Sequence, residues 1–258
     1  MAIFFILNIT GCFNKKTNFT NEQTNKINRE IISNYNKAIS KDPGNFDFYV
    51  ERGKAKHDFG DFIGAIDDYD YSTKLNTNNI INFYKAKAKF SYGDFNGAIT
   101  NYQTLINKKS FKDEYFFNLA ISQFITSNYK DAIKNYTRAI EIEKDNEFYY
   151  LNRGNAKYQI NDYSGSINDY SKSISINKKS YIALNNRGVS KFKLKKYRSA
   201  LEDFKKSLKV NSQNYNTLYN KSLTYFELNE IKKACNDLRK SMKLGKEVFE
   251  DDYLKICR

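Results

Sequence analysis

The chain repeats itself, and its period restricts the fold more than any other feature of the sequence. An aromatic or aliphatic residue recurs at intervals of 33 or 34 residues, at Phe62, Phe95, Tyr129, Tyr163, Tyr197 and Ile231. Three residues after each comes a small side chain, and four residues further comes a ring or a leucine. Offsets of three and four residues place side chains on one face of an α-helix. A period of this length indicates an array of repeated structural units.

Each unit carries a second helical pattern upstream of the first. A small residue stands at Gly53, Ala86, Ala120, Gly154, Gly188 and Ser222. Four residues later comes a larger, mostly aromatic residue, at His57, Phe90, Phe124, Tyr158, Phe192 and Phe226. Small residues let two helix backbones approach, and rings fill the space that remains. The pattern therefore predicts six pairs of packed helices.

This spacing of small residues and rings resembles the tetratricopeptide repeat family, although the family's tryptophan is absent. The resemblance implies an all-α fold over residues 28–258, a right-handed α-solenoid of helix-turn-helix repeats. A helix at residues 28–42 is expected to start the array, and residues 249–258 are expected to form a capping helix. The six full repeats are expected at residues 45–78, 79–112, 113–146, 147–180, 181–214 and 215–248.

The first residues have the features of a targeting signal. Residues 2–9 form an apolar run that is far shorter than the roughly 20 residues a helix needs to span a bilayer. The run ends in Ile9-Thr10-Gly11-Cys12, which resembles the lipobox of bacterial lipoproteins. The resemblance implies a signal peptide at residues 1–12, a lipid on Cys12 that attaches the protein to a membrane of the cell envelope, and a flexible tether at residues 13–27. Because no Lys or Arg precedes the run, a buried first element with Cys12 as a core thiol stays open as the alternative.

The formal net charge of +14 raises nucleic acid or an anionic surface as a partner. The lysines are scattered along the chain, and Lys, Asn, Ile, Tyr and Phe are abundant together, which is typical of proteins encoded by AT-rich genomes. We therefore interpret the charge as a consequence of composition, and nucleic acid is not favoured as a partner.

Part of the positive charge has a matching carboxylate at a fixed separation. In four units a cation stands directly before the small residue of the first helix, and an aspartate follows sixteen positions later. These sets are Arg52 with Asp68, Arg153 with Asp169, Arg187 with Asp203, and Lys221 with Asp237. The two units without the aspartate carry Asn101 and Asn135 in its place. Since the aspartate appears only where a cation precedes it, we predict charge-assisted hydrogen bonds between these positions. The alternative is that the arginines form a ladder that grips an acidic ligand.

Two further cysteines flank the end of the last unit. We predict a disulfide between Cys235 and Cys257, which is reasonable only outside the cytosol and therefore agrees with the lipoprotein interpretation. The alternative is a pair of buried free thiols. No metal site is predicted, because the single histidine, His57, lies far along the chain from either cysteine.

The sequence contains no recognisable catalytic constellation. A single histidine excludes a second imidazole, and no Gly-rich phosphate loop follows a predicted strand. We therefore predict a protein that is not an enzyme and needs no cofactor.

The tetratricopeptide resemblance implies instead that the first helices line a concave groove for a protein or peptide. By analogy with the family, the groove candidates are Val50, Lys54, Phe83, Lys87, Phe117, Ile121, Leu151, Asn155, Asn185, Val189, Tyr219 and Leu223. The leading hypothesis is an interaction scaffold anchored in the bacterial cell envelope. A cytosolic adaptor, similar to co-chaperones of this family, and a binder of anionic polymers are the alternatives.

Overall fold

The computed structural model describes residues 21–107, 112–248 and 250–257. These residues form two compact units, and the boundary between the units along the chain falls between Ile142 and Glu143. The helices of the N-terminal unit are α1 (Asn21–Lys41), α2 (Phe46–Phe59), α3 (Phe62–Leu75), α4 (Asn79–Tyr92), α5 (Phe95–Asn107), α6 (Asp113–Ile125) and α7 (Tyr129–Ile142). Those of the C-terminal unit are α8 (Glu147–Gln159), α9 (Tyr163–Ile176), α10 (Tyr181–Lys193), α11 (Tyr197–Val210), α12 (Tyr215–Glu227), α13 (Ile231–Lys243) and α14 (Glu250–Cys257). The predicted signal peptide, Cys12 and the first part of the tether lie outside the described residues.

Within each unit the helices pack as successive hairpins. Each even-numbered helix from α2 to α12 is the first helix of a hairpin, and the helix that follows it is the second. Each of these hairpins contains one of the six predicted repeats. Every second helix begins at the recurring aromatic or aliphatic residue that reveals the period. The predicted all-α fold of repeated helical hairpins is therefore confirmed.

The turn inside each hairpin is made by one residue with a left-handed backbone. These residues have φ between 58° and 96°, and they are Gly60, Gly93, Ser127, Asn161, Lys195 and Asn229. A left-handed residue commonly ends a helix, because its N–H can reach a carbonyl of the last turn. The backbone N–H of Lys195 donates to the carbonyl of Phe192 at 2.8 Å. The same turn therefore forms at Lys195, although lysine is unfavourable in a left-handed conformation.

The core of each hairpin is built on one repeated contact, between the large residue of the second helix and the small residue of the first. The large side chains are all less than 2% exposed: Tyr69, Tyr102, Tyr136, Tyr170, Phe204 and Leu238. At Gly154 a Cβ atom would lie 2.7 Å from Cε1 of Tyr170, and at Gly188 it would lie 2.6 Å from Cε1 of Phe204. Both distances are shorter than a carbon–carbon contact allows, so these glycines bring the two helices together.

Adding one methyl group at this contact is expected to destabilise the protein. Alanine in place of Gly188 gains about 1 kcal/mol in helix propensity, but overpacking a buried ring costs about 1–3 kcal/mol. We expect Gly188→Ala to lower the free energy of unfolding, measured by urea denaturation. Gly44→Ala is the control, because its Cβ would lie 3.6 Å from the nearest side-chain atom. Equal stability of the two variants would show that the ring at Phe204 adjusts freely.

A second aromatic contact closes the turn end of five hairpins. The two rings meet edge-on, with centroids 5.2–5.4 Å apart, and the pairs are His57 with Phe62, Phe90 with Phe95, Phe124 with Tyr129, Tyr158 with Tyr163, and Phe192 with Tyr197. Edge-to-face packing is a preferred arrangement of aromatic side chains. The aromatic residues that mark the period are thus explained by this contact.

The starting helix is longer than predicted. Helix α1 begins at Asn21, so residues 21–27 of the predicted tether are helical. These residues are polar except for Ile27 and show no apolar stripe, which is why the pattern did not reveal the helix. Each residue added to an existing helix still gains a backbone hydrogen bond, and Glu22 in the first turn favours this end of the helix.

The last hairpin is covered by α14, in agreement with the predicted cap at residues 249–258. Ile256 of α14 is fully buried against a cluster that includes Leu238 of α13. The structure joins Cys235 and Cys257 by a disulfide, with the two Cα atoms 5.0 Å apart. The bridge therefore holds the capping helix against the repeat that it covers.

Candidate functional site

The arginines proposed as a ligand ladder are engaged inside the hairpins. Arg187 donates to both carboxylate oxygens of Asp203, at 2.9 and 2.7 Å. The same two-nitrogen contact joins Arg52 to Asp68 at 2.9 and 2.5 Å, and Arg153 to Asp169 at 2.9 and 2.6 Å. The aspartates are buried, and the hydrogen bond to Asp68 raises the pKa of the Arg52 guanidinium. This geometry supports a structural role for the pairs.

Each of these aspartates also binds a lysine that the sequence analysis missed. The ammonium groups lie 2.7–3.0 Å from the carboxylates, in the contacts of Lys56 with Asp68, Lys157 with Asp169, and Lys191 with Asp203. The signal was present as a lysine four residues after each arginine, which places both cations on one helix face. Two cations thus surround each buried carboxylate.

The other three hairpins depart from this arrangement. In the third hairpin Leu119 and Asn135 occupy the two positions, so no ion pair can form there. Lys85 has no aspartate sixteen residues later, and its ammonium pairs instead with Asp70 of the preceding hairpin. In the last hairpin Lys221 contacts Asp237 at 3.1 Å, and Tyr225 stands where the second cation would be. Burial raises the pKa of the Asp237 carboxyl above its usual value, although Lys221 opposes this shift.

The predicted groove residues do not form an open surface in this structure. Ten of the twelve side chains are less than a tenth exposed: Val50, Phe83, Phe117, Ile121, Leu151, Asn155, Asn185, Val189, Tyr219 and Leu223. Only Lys54 and Lys87 are partly exposed. The first helices α4, α6, α10 and α12 each contact the second helix before them and the second helix after them. Positions chosen by analogy on these helices are therefore covered by neighbouring helices. The expectation of an exposed groove at these ten positions is therefore corrected.

In the C-terminal unit two of these buried residues belong to an amide network. Asn155 Oδ1 accepts hydrogen bonds from the hydroxyl of Tyr170 at 3.0 Å and from Asn186 Nδ2 at 3.2 Å. Asn185 donates to Asn186 at 3.0 Å and accepts from Asn220 at 3.0 Å. The network links α8, α10 and α12. Asn186 and Asn220 stand 34 residues apart, at the repeat position that Asn118 and Asn152 also occupy, and we missed this recurrence in the sequence.

An open cleft lies at the start of the N-terminal unit, between α1 and α2. Its volume is about 670 Å³, and its lining includes the predicted groove residue Lys54. The apolar part is formed by Ile31, Tyr35, Ala38 and Ala55, and the polar part by Asn28, Asn34, Glu51, Lys54 and Asp58. Lys54 binds Glu51 at 2.6 Å and lies 4.4 Å from the ring centroid of Tyr84. We call this site the α1–α2 cleft.

Asn28 is the unusual member of the α1–α2 cleft. Its side chain is only 7% exposed, and its Nδ2 atom is buried without a hydrogen-bond partner. An unpaired buried amide costs about 1–3 kcal/mol, so a ligand oxygen at this place would recover that energy. The cleft is therefore able to bind a group that accepts a hydrogen bond beside an apolar one.

The described residues do not suggest metal chemistry or a membrane span. Over 21–107, 112–248 and 250–257, no three His, Cys, Asp or Glu side chains come together in a way that could hold a metal ion. Among the helices of the same ranges, none is both long and apolar enough to cross a bilayer.

Comparison with known families and structures agrees with the repeated hairpins. Models of the tetratricopeptide repeat match residues 149–180, 181–214 and 215–244. None of the curated proteins matches the chain in sequence.

Three solved structures illustrate the shared fold. The C-terminal part of a tetratricopeptide repeat-containing protein from Cytophaga hutchinsonii has a TM-score of 0.74 at 15% identity, covering 91% of this chain and 97% of that one. A tetratricopeptide repeat protein from Parabacteroides merdae has a TM-score of 0.62 at 16% identity, covering 92% and 96%. YrrB, described as a tetratricopeptide protein with an unusual peptide-binding site, has a TM-score of 0.64 at 14% identity, covering 71% and 95%. With the family models and the hairpin geometry, these likenesses lead to one conclusion: residues 149–244 match the tetratricopeptide repeat, and the described chain has the fold of the proteins built from it.

Proposed function

We propose that the protein is a non-catalytic interaction scaffold that binds an extended segment of another protein, with the α1–α2 cleft as the principal contact. The observation that carries the proposal is the unpaired Nδ2 of Asn28 in that cleft. An extended segment presents unpaired carbonyl oxygens, and one of them would accept a hydrogen bond from this amide. The fold shared with YrrB, a peptide-binding relative, supports this class of ligand.

The other groups of the α1–α2 cleft suit the same ligand. Tyr35 and Ile31 offer apolar contact to a side chain, and Glu51, Lys54 and Asp58 offer charges of both signs at the rim. A cleft with an apolar floor and a few convergent polar groups is typical of sites for peptides and small ligands. Its mixed charge favours a segment that carries both a basic and an acidic side chain.

A blocked cleft tests the proposal. Peptides are selected from a random display library against the protein, and their affinities are measured by fluorescence anisotropy. We expect Ala38→Arg to weaken binding by about tenfold or more, because a long side chain would occupy the apolar part of the cleft. Ser33→Arg is the matched control, with the same added charge on an exposed position of α1 outside the cleft. Selected peptides that bind both variants equally well, or a failure to select any peptide, would contradict the proposal.

We further propose that this scaffold is held at the cell envelope by a lipid on Cys12. The disulfide between Cys235 and Cys257 supports the proposal, because disulfides persist in oxidising compartments. A single acyl chain binds membranes only weakly and reversibly, so stable anchoring needs more than one chain. Mass spectrometry of the mature protein is expected to show acylated Cys12 as the first residue. An intact Met1 with an unmodified Cys12 would instead support a cytosolic adaptor.

A further inference from the structure

The last hairpin contains a second cavity, which the proposed function does not use. It has a volume of about 490 Å³ and lies in the C-terminal unit between α11, α12 and α13. Three leucines form its apolar part, Leu208, Leu218 and Leu244. Its charged groups are Lys221, Lys240, Lys243 and Asp237. We call it the α13 cavity.

The α13 cavity has an excess of positive charge. Three lysines and one aspartate line it, a net formal charge of +2. Asp237 is engaged by Lys221, and its neighbours Lys240 and Lys243 lie outside ion-pair distance of any carboxylate in the described part of the chain. Burial raises the pKa of the Asp237 carboxyl above its usual value, and Lys221 opposes this shift. Two lysines are therefore available to an added anion.

The preceding hairpin shows why the cavity is open. There Arg187 uses two nitrogens on Asp203, and Lys191 provides a second cation at 2.7 Å. In the last hairpin the equivalent residues are Lys221 and Tyr225, exactly one repeat of 34 residues later. A lysine presents one nitrogen where arginine presents a planar fork. The space that a guanidinium fills in the earlier hairpin therefore contributes to the α13 cavity.

We propose that the α13 cavity binds the phosphate of an anionic phospholipid, with Lys240 and Lys243 on the phosphate and the leucines against the adjoining hydrocarbon. A cavity of about 490 Å³ is much larger than a phosphate ion and leaves room for an apolar portion. Met242 and Leu244, each 38% exposed, lie on the same helical segment as the lysines. Basic residues near an anionic bilayer are attracted to its surface charge, and exposed apolar side chains add to the binding.

The composition of the lining favours a lipid over a nucleic acid. Single-stranded nucleic acid is usually held by aromatic side chains that stack on its bases, and no aromatic residue lines the α13 cavity. The leucines instead offer a surface for hydrocarbon. The proposal is independent of the α1–α2 cleft and of the lipid on Cys12.

Vesicle co-sedimentation tests the proposal, with the full chain carrying Cys12→Ser so that no lipid is attached. The vesicles contain equal parts of phosphatidylglycerol and phosphatidylcholine, or phosphatidylcholine alone. We expect binding to the anionic vesicles only. Lys240→Ala/Lys243→Ala is expected to weaken it by about tenfold more than Lys206→Ala/Lys209→Ala, which removes the same charge from the equivalent positions of the preceding hairpin.

A variant that keeps the charge separates a cavity from a diffuse basic surface. Lys221→Arg is expected to weaken binding by about tenfold as well, because its guanidinium can close on Asp237 as Arg187 does on Asp203. Equal losses in the two double-lysine variants, full binding by Lys221→Arg, or no binding by the parent chain would overturn the proposal. So would displacement from the vesicles by an equimolar amount of inorganic phosphate or of a single-stranded oligonucleotide, since the cavity would then recognise a free phosphate or a nucleic acid.

Discussion

Replacing Asp203 with alanine is expected to lower the free energy of unfolding of the C-terminal unit by about 3–5 kcal/mol. The Asp203 side chain is only 1% exposed. It accepts hydrogen bonds from Arg187 and forms an ion pair with Lys191, and the side chains of these two cations are each 16% exposed. Without the carboxylate, two largely desolvated cations would lie side by side with no counter-charge. Their mutual repulsion and lost solvation account for the expected size of the effect.

Urea denaturation followed by circular dichroism measures this loss. Glu202→Ala is the matched control, because it removes an exposed carboxylate from the adjacent position of the same helix and is expected to change stability by less than about 0.5 kcal/mol. The double variant Asp203→Leu/Arg187→Met removes partner and cation together, and it is expected to recover much of the stability. A loss for Asp203→Ala no larger than that for Glu202→Ala would show that Arg187 and Lys191 simply turn to solvent.

Truncation of the buried ring in the same hairpin is expected to have an effect of similar size. Phe204→Ala should cost about 3–5 kcal/mol, because the ring is fully buried and the cavity it leaves cannot collapse completely. Phe204 packs with Val189 and Ala200, and Tyr158 and Phe192 pack against this cluster. Urea denaturation provides the measurement, and Val210→Ala is the control, since Val210 is 43% exposed on the same helix. A comparable loss in the two variants would mean that the ring contributes little to the core.

The same position carries phenylalanine in this hairpin and tyrosine in four others, and the tyrosine of the preceding hairpin has a hydrogen-bond partner that Phe204 would lack. In the preceding hairpin the Tyr170 hydroxyl donates to Asn155, fifteen residues earlier in the chain. Val189 stands at the corresponding place for Phe204 and offers no acceptor. Phe204→Tyr is therefore expected to cost about 1–3 kcal/mol for a buried unpaired hydroxyl, and Phe204→Tyr/Val189→Asn should restore stability. If the single variant is as stable as the parent, the hydroxyl reaches another partner.

The helical architecture was largely predictable, because its causes are local in sequence. Helix faces are set by residues three and four apart, and the turns follow from a few positions such as Gly60 and Asn161. Residue types at a separation of sixteen also identified the pairs of Arg52 and Arg187 with their aspartates. The start of α1 was missed because a polar helix end has no periodic apolar signal.

The candidate site was much less predictable. We predicted Val189 and Leu223 as groove residues by analogy with the tetratricopeptide family, although both side chains are buried. Lys54, selected in the same way, does line an open cleft. The difference depends on what packs beside each first helix, and that is decided by residues from other repeats.

The sequence by itself determined the period, the hairpins, the ring and glycine contacts and the internal ion pairs, since each depends on spacing within one repeat. Only the tertiary structure decided that most groove candidates are covered, that the α1–α2 cleft is lined by Asn28 with its buried unpaired amide, and that Lys221 and Asp237 line a cavity. Exposure and free hydrogen-bonding groups are properties of a whole packed assembly of helices. A repeated sequence gives each hairpin nearly the same interior, and its neighbours determine which parts of that hairpin a ligand can reach.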